Sequence, residues 1–287
     1  MKSLEDIHRI AVIGAGTMGQ GIAQVAAQAG HEVLLYDVSA DMLALAQKLI
    51  DKNLTKAVEL GKLRAEEKEA SLQRIRVAHD LTSLQVDLVI EAIVEKLEVK
   101  QKLFASLEAI NSPETIFASN TSSIPITQIA AGLKHPERVV GMHFFNPAHI
   151  MKLVEVISGA DTHKSVAQLV ADLSLKWGKK PVFAQDAPGF IVNRVARHYY
   201  VESLKLVEEN VTDFATVDRL LESSGFKMGP FRLMDLIGVD TNFSVTSSMF
   251  ASFHYEAKFR PSRIQQQKVD AGHHGRKTGK GFYTYEK

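Results

Sequence analysis

Apolar and polar positions along the first forty residues follow the pattern of one strand–helix–strand unit. Residues 10–13 form a short apolar run that predicts a buried parallel strand. A glycine-rich turn comes next, followed by a helix of small residues over 18–29, with Gly30 where a helix C-cap is expected. Residues 31–37 then predict the second strand of the unit.

The next segment, residues 40–73, has a helical composition rich in Ala, Leu, Lys and Glu. Because Gly61 offers a break near its middle, this segment predicts a helical hairpin inserted into the sheet domain. Beyond it we expect strands over 75–78, 87–92, 115–118, 138–144 and 152–157, and a helix over 99–110. The alternation predicts an α/β fold with a Rossmann-type, doubly wound sheet.

The strand pattern ends after Val182 and Phe183. Asp186 followed by Pro188 is typical of a helix start, and from there the pattern is helical to the C-terminus. Helices are expected over 216–223, 241–257 and 263–269, and before them one with apolar residues at helical spacing, Ile191, Val195, Tyr199 and Leu204. We therefore predict a sheet domain over 1–185 and a smaller all-α domain over 186–287.

Composition narrows the classes of function. The formal net charge is +1, so nothing in the charge balance favours nucleic acid or a membrane surface as a partner. The chain has no cysteine, which excludes disulfides, thiolate nucleophiles and cysteine-bound metals. His273 and His274 lack a third ligand at suitable spacing, so we expect no metal site. The polar N-terminus without an apolar leader predicts a cytoplasmic protein.

The turn after the first strand carries a dinucleotide-binding pattern. Residues 14–19 fit G-x-G-x-x-G, with Gly14, Gly16 and Gly19 as the glycines, and we expect Thr17 and Met18 between them to contact the cofactor as well. Asp37 ends the second strand, where a carboxylate binds ribose hydroxyls and repels a 2′-phosphate. The pattern therefore predicts NAD as cofactor rather than NADP; the alternative is a glycine turn of purely structural use.

Two residues have the chemistry that hydride transfer from an alcohol requires. His143 ends a predicted strand, at the edge where open α/β sheets bind ligands, and histidine suits the role of general base. Glu155 lies inside the apolar run 153–157, where a lone carboxylate is costly to bury unless it is paired. We expect Glu155 to orient His143. From position alone, an edge-strand glutamate and a structural histidine are an equal alternative.

Several longer motifs resemble one family. They are GAGTMGQGIA (14–23), EAIVEKLEVK (91–100), ASNTSS (118–123), GMHFFNPAHIMKLVEVI (141–157), DAPGFIVNR (186–194), MGPFRLMDLIGVD (228–240) and KTGKGFY (277–283). In this order they resemble the 3-hydroxyacyl-CoA dehydrogenases, and among these the stand-alone bacterial 3-hydroxybutyryl-CoA dehydrogenases. HFFNP with KLVEV and PGFIVNR is typical of members that act on acyl-CoA.

The resemblance implies a role for each matched residue. His143 would be the general base, Glu155 its partner, and Ser122, rather than its neighbour Ser123, a donor to the substrate oxygen. Asn193 of the second domain would position the substrate carbonyl. Residues that would line the cofactor are Glu95, Lys100, Asn146 and Lys277. For these four, a solvated surface side chain is the competing interpretation.

One region departs from the family pattern. The hairpin at 40–73 holds the CoA moiety in mitochondrial members through a serine and a lysine, whereas Asn53 and Leu60 fall at those positions here. Lys52, Lys56 and Lys62 lie nearby, so we predict Asn53 and Lys56 as CoA contacts. The resemblance also implies a homodimer through the helical domain. Its phenylalanines, Phe226, Phe231, Phe243 and Phe250, would form a core or a dimer interface.

These observations lead to one leading hypothesis, an NAD-dependent (3S)-3-hydroxyacyl-CoA dehydrogenase. We expect its acyl-CoA substrate to be short, as 3-hydroxybutyryl-CoA and acetoacetyl-CoA are. One alternative keeps the fold and cofactor but acts on a free hydroxy acid or sugar acid, against which HFFNP argues. The other is a non-catalytic NAD(H)-binding protein, which would be expected to lack the histidine–glutamate pair or the glycines.

Overall fold

The computed structural model describes residues 2–286, and the chain divides into two compact units. The sheet unit runs to Ala187 and the helical unit starts at Pro188. The α/β fold class predicted from the sequence is confirmed. Among residues 2–286, no helix has both the length and the apolar character needed to cross a membrane.

The sheet unit is built on eight strands in the order β3-β2-β1-β4-β5-β6-β7-β8. Their bounds are β1 (Arg9–Ile13), β2 (Glu32–Tyr36), β3 (Ile75–Ala78), β4 (Leu88–Glu91), β5 (Ile116–Ser119), β6 (Val139–Phe144), β7 (Leu153–Ser158) and β8 (Lys180–Gln185). The reversal of order beside β1 is the switch point of a doubly wound sheet, outside whose carboxyl ends ligands bind. Every residue of β4, β5 and β6 is buried, which is typical of strands covered on both faces.

Two neighbouring strands, β7 and β8, run against the other strands of the sheet. β6 and β7 pair antiparallel, whereas every other neighbouring pair in the sheet is parallel. The register sets His143 directly opposite Glu155. Directly opposed residues of an antiparallel pair point to the same face of the sheet, so the ladder itself brings these two side chains together.

The inserted hairpin consists of α2 (Ala40–Glu59) and α3 (Ala65–Arg74). Ser39 caps α2 by accepting a hydrogen bond from the Met42 N–H, and Gly61, with φ +65°, lies in the turn between the two helices. The other helices of this unit are α1 (Thr17–Gln28), α4 (Leu97–Glu108), α5 (Ile126–Ala130) and α6 (Lys164–Lys176). The sequence interpretation missed α5 and α6.

The helical unit contains α7 (Val192–Glu208), α8 (Phe214–Ser223), α9 (Pro230–Ile237), α10 (Val239–Ser252) and α11 (Arg263–Asp270). Its core is formed by buried residues of four of these helices and the C-terminal segment: Tyr200, Leu204, Val217, Phe231, Met234, Val239 and Phe282. Of the four phenylalanines considered for a core or an interface, Phe231 is fully buried, Phe226 is about half exposed, and the other two are partly buried.

Three details of the helical prediction are wrong. Residues 188–191 form turns, so α7 begins at Val192 and not at Pro188. Asp186 does not cap α7; its carboxylate accepts hydrogen bonds from the N–H groups of Ile126 (2.7 Å) and Thr127 (2.8 Å), at the start of α5. The expected apolar stripe fails as well, because Ile191 and Val195 are exposed while the buried face of α7 passes through Arg197, Tyr200, Ser203 and Leu204.

Candidate active site

The glycine-rich turn packs β1 against α1 by backbone contact. Gly14 has φ +100°, and its N–H donates to the Tyr36 carbonyl at 2.8 Å. A Cβ atom at Gly19 would lie only 1.7 Å from the Gly14 carbonyl oxygen. Gly16 differs, since it is the N-cap of α1 and a Cβ there would meet nothing within 4 Å. The open space lies at a helix N-terminus, whose N–H groups and dipole favour a phosphate.

Asp37 follows β2 directly and points back to this turn. Its carboxylate accepts hydrogen bonds from the Ala15 N–H (2.7 Å) and the Ser39 N–H (2.9 Å). These two backbone donors fix a negative charge beside the glycine turn, which disfavours a cofactor with a 2′-phosphate. Thr17 and Met18, also predicted to contact the cofactor, are the first two residues of α1.

The candidate catalytic group is assembled from β6, β7 and the loop after β5. His143 Nδ1 lies 2.7 Å from Glu155 Oε2, and His143 Nε2 lies 3.1 Å from Ser122 Oγ. His143 is 3% exposed and Glu155 is 1% exposed. Because an ionised carboxylate only accepts, Nδ1 carries the proton in this pair and Nε2 is left with its lone pair. The ring therefore presents a basic nitrogen on the side of Ser122.

A second polar network lies beneath the Ser122 loop and was not predicted. The Lys100 ammonium, 1% exposed, lies 2.6 Å from Glu91 Oε1 and 3.2 Å from Glu95 Oε2. Glu91 is fully buried at the end of β4, and its other oxygen accepts from the Ser119 hydroxyl at 2.6 Å. Lys100 was expected to line the cofactor, and that role stays a prediction. Its ammonium lies between two carboxylates, and the signal overlooked was a glutamate inside the apolar run 88–92.

Glu95 holds the loop that carries Ser122. Its Oε1 accepts from the Thr121 hydroxyl (2.6 Å) and from the N–H groups of Ser122 (2.8 Å) and Ser123 (3.0 Å). Burial acts to raise the pKa of Glu95, but the Lys100 charge and these hydrogen bonds outweigh it and lower the pKa below 4.5. Glu95 is therefore ionised at neutral pH. The Ser123 hydroxyl also donates to Glu95 (3.2 Å), which leaves Ser122 as the serine beside His143.

The segment between β6 and β7 is held by a buried cation. Asn146 is exposed, and its bond to Pro147 is cis. The Lys179 ammonium donates to the carbonyls of Ala148 (2.5 Å) and Met151 (2.9 Å), and burial lowers the pKa of Lys179. Sequence analysis gave this lysine no role. Its contacts fix the backbone immediately after Asn146.

The remaining predicted residues lie in separate places. In the hairpin, Asn53 Nδ2 donates to Gln24 Oε1 of α1 at 3.3 Å. Lys56, also in the hairpin, forms an exposed ion pair with Glu59. In the helical unit, Asn193 is the second residue of α7. Lys277, also there, forms an ion pair with Asp240 at 2.7 Å. Within the described part of the chain, no group of three or more His, Asp or Glu is placed to hold a metal ion.

The glycine turn and Asp37 fit a dinucleotide cofactor. The space over Gly16 that a Cβ would otherwise fill suits the pyrophosphate, and Asp37 directly follows β2, where the adenosine ribose binds in such folds. A histidine with a basic nitrogen lies at the carboxyl edge of the same sheet. Together these features define the class as an NAD-dependent dehydrogenase.

Comparison with known proteins gives the family. Residues 9–187 match the sequence model of the 3-hydroxyacyl-CoA dehydrogenase NAD binding domain, and residues 189–285 match that of the 3-hydroxyacyl-CoA dehydrogenase C-terminal domain. The chain therefore belongs to the 3-hydroxyacyl-CoA dehydrogenase family, whose enzymes are NAD-dependent oxidoreductases acting on CH–OH groups.

Three relatives illustrate the similarity. The 3-hydroxyadipyl-CoA dehydrogenase of Escherichia coli (strain K12) is 51% identical over 98% of this chain and 59% of its own length. The probable 3-hydroxybutyryl-CoA dehydrogenase of Bacillus subtilis (strain 168) is 41% identical over 98% of both chains. The crystal structure of 3-hydroxybutyryl-CoA dehydrogenase from Escherichia coli K12 superposes with a TM-score of 0.94 at 51% identity, over 97% of this chain and 60% of that one. The chain thus spans about three fifths of the length of the Escherichia coli relative in each of these two comparisons.

Proposed function

We propose that this protein interconverts a (3S)-3-hydroxyacyl-CoA and NAD⁺ with the 3-ketoacyl-CoA, NADH and a proton, and that short acyl chains such as 3-hydroxybutyryl are substrates. The observation that carries the proposal is the line of hydrogen bonds from Glu155 through His143 to Ser122. Family membership supplies the substrate class. The HFFNP segment, which contains His143, argues against a free hydroxy acid or sugar acid.

In the oxidation, His143 Nε2 takes the proton of the substrate C3 hydroxyl. Glu155 keeps the Nδ1 proton in place and stabilises the imidazolium that forms, a contribution strengthened by the burial of both groups. Ser122 Oγ donates to the substrate oxygen, and Asn193 holds the substrate carbonyl. NAD, held by the glycine turn and Asp37, would supply the acceptor for the hydride of C3. In the reduction, the imidazolium returns its proton to the oxygen of the 3-keto group.

The residues at the cofactor edge act by position and charge. Gly16 lets the backbone approach the pyrophosphate, Gly14 and Gly19 allow the tight turn and the close packing of α1 on β1, and Asp37 binds the adenosine ribose. Glu95 and Lys100 hold the loop of Ser122, while Asn146 and Lys277 keep the cofactor roles implied by the resemblance. Asn53 and Lys56 are proposed as CoA contacts. The homodimer and the cytoplasmic location remain predictions.

A second candidate substrate has an acyl chain that ends in a carboxylate. It is favoured by the 51% identity to a protein described as a 3-hydroxyadipyl-CoA dehydrogenase, since an adipyl chain carries a second carboxyl group at its far end. The chemistry at C3 is the same for both candidates. They differ only in what must bind the end of the acyl chain.

The test is NADH oxidation with acetoacetyl-CoA, run beside free acetoacetate and with the His143→Ala variant. We expect turnover of the thioester alone and a loss of at least about 100-fold in the variant, with NADH binding retained. Turnover of free acetoacetate at a comparable rate would overturn the substrate class. NADH binding without turnover of any 3-ketoacyl-CoA would indicate that the protein binds the cofactor but does not catalyse the reaction.

A further inference from the structure

Arg197 is a buried cation inside the helical unit. It lies on α7 with 4% of its surface exposed, and its Nη1 donates to the Asn242 carbonyl (3.0 Å) and to the Thr246 hydroxyl (2.9 Å), both on α10. Its guanidinium carbon lies 4.9 Å from the centre of the Tyr200 ring. These partners are neutral. No carboxylate among residues 2–286 forms an ion pair with Arg197.

The hydrogen bonding around this cation is incomplete. Among the described residues, the buried Nε–H of Arg197 has no acceptor, and neither does the buried Nδ2 of Asn242. The side-chain oxygen Oδ1 of Asn242 already accepts a hydrogen bond from Gln265 Nε2 at 2.9 Å. Buried donors without acceptors are costly, and an unpaired buried charge is more so. Burial without a counter-charge lowers the pKa of Arg197 to about 10, so it is still charged at neutral pH.

One anionic group with two acceptor oxygens would complete these contacts. A guanidinium presents parallel N–H groups that match a carboxylate, which accepts two hydrogen bonds at once. The neutral surroundings make the pairing stronger than it would be in water. A carboxylate of a ligand would supply both a counter-charge for Arg197 and an acceptor for its buried Nε–H.

The position on α7 relates Arg197 to the substrate. Arg197 comes four residues after Asn193, so the two residues share one face of the helix, about 6 Å apart along its axis. Asn193 is proposed to hold a substrate carbonyl. In an adipyl chain the far carboxylate is three C–C bonds from the C3 carbonyl and five from the thioester carbonyl, which is roughly 4.5 to 7.5 Å along the bonds at about 1.5 Å per bond. The spacing of the two residues along the helix falls within this span.

We propose that Arg197 binds the terminal carboxylate of a dicarboxylic acyl-CoA substrate, making this enzyme selective for 3-hydroxyacyl-CoA molecules whose acyl chain ends in a carboxylate. The proposal rests on the proposed function and deepens it by naming the substrate class. Arg197 determines specificity and takes no part in the proton transfer.

The first test compares two thioesters of equal chain length with the wild-type protein. The ratio of kcat/KM for 3-ketoadipyl-CoA to that for 3-ketohexanoyl-CoA is measured by NADH oxidation, with acetoacetyl-CoA alongside. A hydrogen bond to a charged group strengthens binding by about tenfold or more. We therefore expect the ratio of the two kcat/KM values to be at least about ten. A ratio near or below one, with acetoacetyl-CoA reduced normally, overturns the proposal alone. Failure of all three substrates overturns the proposed function.

The second test assigns the preference to Arg197. Arg197→Gln should bring the ratio to near or below one, whatever its absolute rates. Arg194→Gln removes the same charge from an exposed position of the same helix and should keep the wild-type ratio. An unchanged ratio in Arg197→Gln overturns the proposal. If that variant does not fold, the Nε–H resonance of Arg197 in the wild-type protein decides: it should shift with adipyl-CoA and not with hexanoyl-CoA, and no difference between the two overturns the proposal.

Discussion

Glu155 accepts a hydrogen bond from His143 across two strands in which these residues are direct partners, with 2.7 Å between Oε2 and Nδ1. Because the backbone ladder sets both Cα positions, the orientation of the imidazole depends on the sheet and not on a mobile loop. Burial of both side chains keeps water from competing for the bond. This pairing gives the first prediction.

Glu155→Gln should lower kcat for acetoacetyl-CoA by about 100- to 10,000-fold and leave the Kd for NADH close to the wild-type value. A glutamine still fills the space, but it no longer stabilises the imidazolium. The matched control is Glu137→Gln, because His135 and Glu137 form a similar pair on the surface, at 3.2 Å. That control should turn over normally. Equal rates in both variants would show that the buried pair does not serve the reaction.

Glu91→Gln should destabilise the protein by about 3–5 kcal/mol, because it removes the nearest counter-charge of the buried Lys100 ammonium. Urea unfolding followed by circular dichroism gives the free energy of unfolding. Glu67→Gln is the control, since it breaks an exposed ion pair with Arg64 at 2.8 Å and should leave the free energy of unfolding almost unchanged. If the two substitutions had equal effects, the buried network would not be a source of stability.

Gly16→Ala and Gly19→Ala should fail in different ways. An alanine methyl at position 19 would collide with the Gly14 carbonyl, so the melting temperature should fall steeply even without cofactor. At position 16 the methyl meets nothing and φ is −68°, so the melting temperature of the free protein should be unchanged. The stabilisation by NADH should shrink instead, because the methyl occupies the phosphate site. Wild-type stabilisation by NADH in Gly16→Ala would contradict the proposed cofactor position.

His31 should make the protein less stable in mild acid. Burial lowers its pKa below 6.5, although its hydrogen bond to the Ile7 carbonyl opposes this, and its buried Nε2 has no partner among the described residues. A lowered folded pKa means that the stabilisation is present above 6.5, the unfolded value, and is lost as the pH falls from there through the folded pKa. The only tryptophan, Trp177, has its ring 5.7 Å from the His31 ring and can report unfolding.

The measurement is the free energy of unfolding in urea at about pH 7.5 and about pH 5, for the wild type and for His31→Phe. The phenylalanine keeps a ring against Trp177 but has no titrating nitrogen. We expect the wild type to lose more stability between the two pH values than the variant does. Parallel losses in the two proteins would assign the acid sensitivity to other groups.

The parts of the site that depend on local pattern could be predicted from sequence. Strand β1, the glycine turn and Asp37 follow from neighbouring residues, because each element is defined by its own dihedral angles, caps and apolar runs. The closeness of His143 and Glu155 could also be expected, since a lone carboxylate in an apolar strand requires a partner. The assignment of catalytic roles came from the family resemblance and not from spacing.

Features that depend on distant residues could not be predicted. Lys100 is buried because Glu91 and Glu95, from a strand and the loop after it, both reach it, and no periodicity encodes that arrangement. The burial of Arg197 could not be predicted either. Val195 was expected on the buried face of α7, but Arg197 lies there because α10 supplies its acceptors. Asp186 looked like a helix cap from its neighbours, yet it caps a different helix sixty residues earlier in the chain.

The network beneath the Ser122 loop also constrains how this protein can diverge. Glu91 and Lys100 form a buried ion pair, Glu95 approaches the same ammonium from a partly exposed position, and Ser119 completes the hydrogen bonds. Replacing any one of them alone leaves a buried charge or donor without its partner. During evolution these four positions can therefore change only through an unstable intermediate or by several substitutions at once. In descendants of this protein we expect all four to be retained or replaced together.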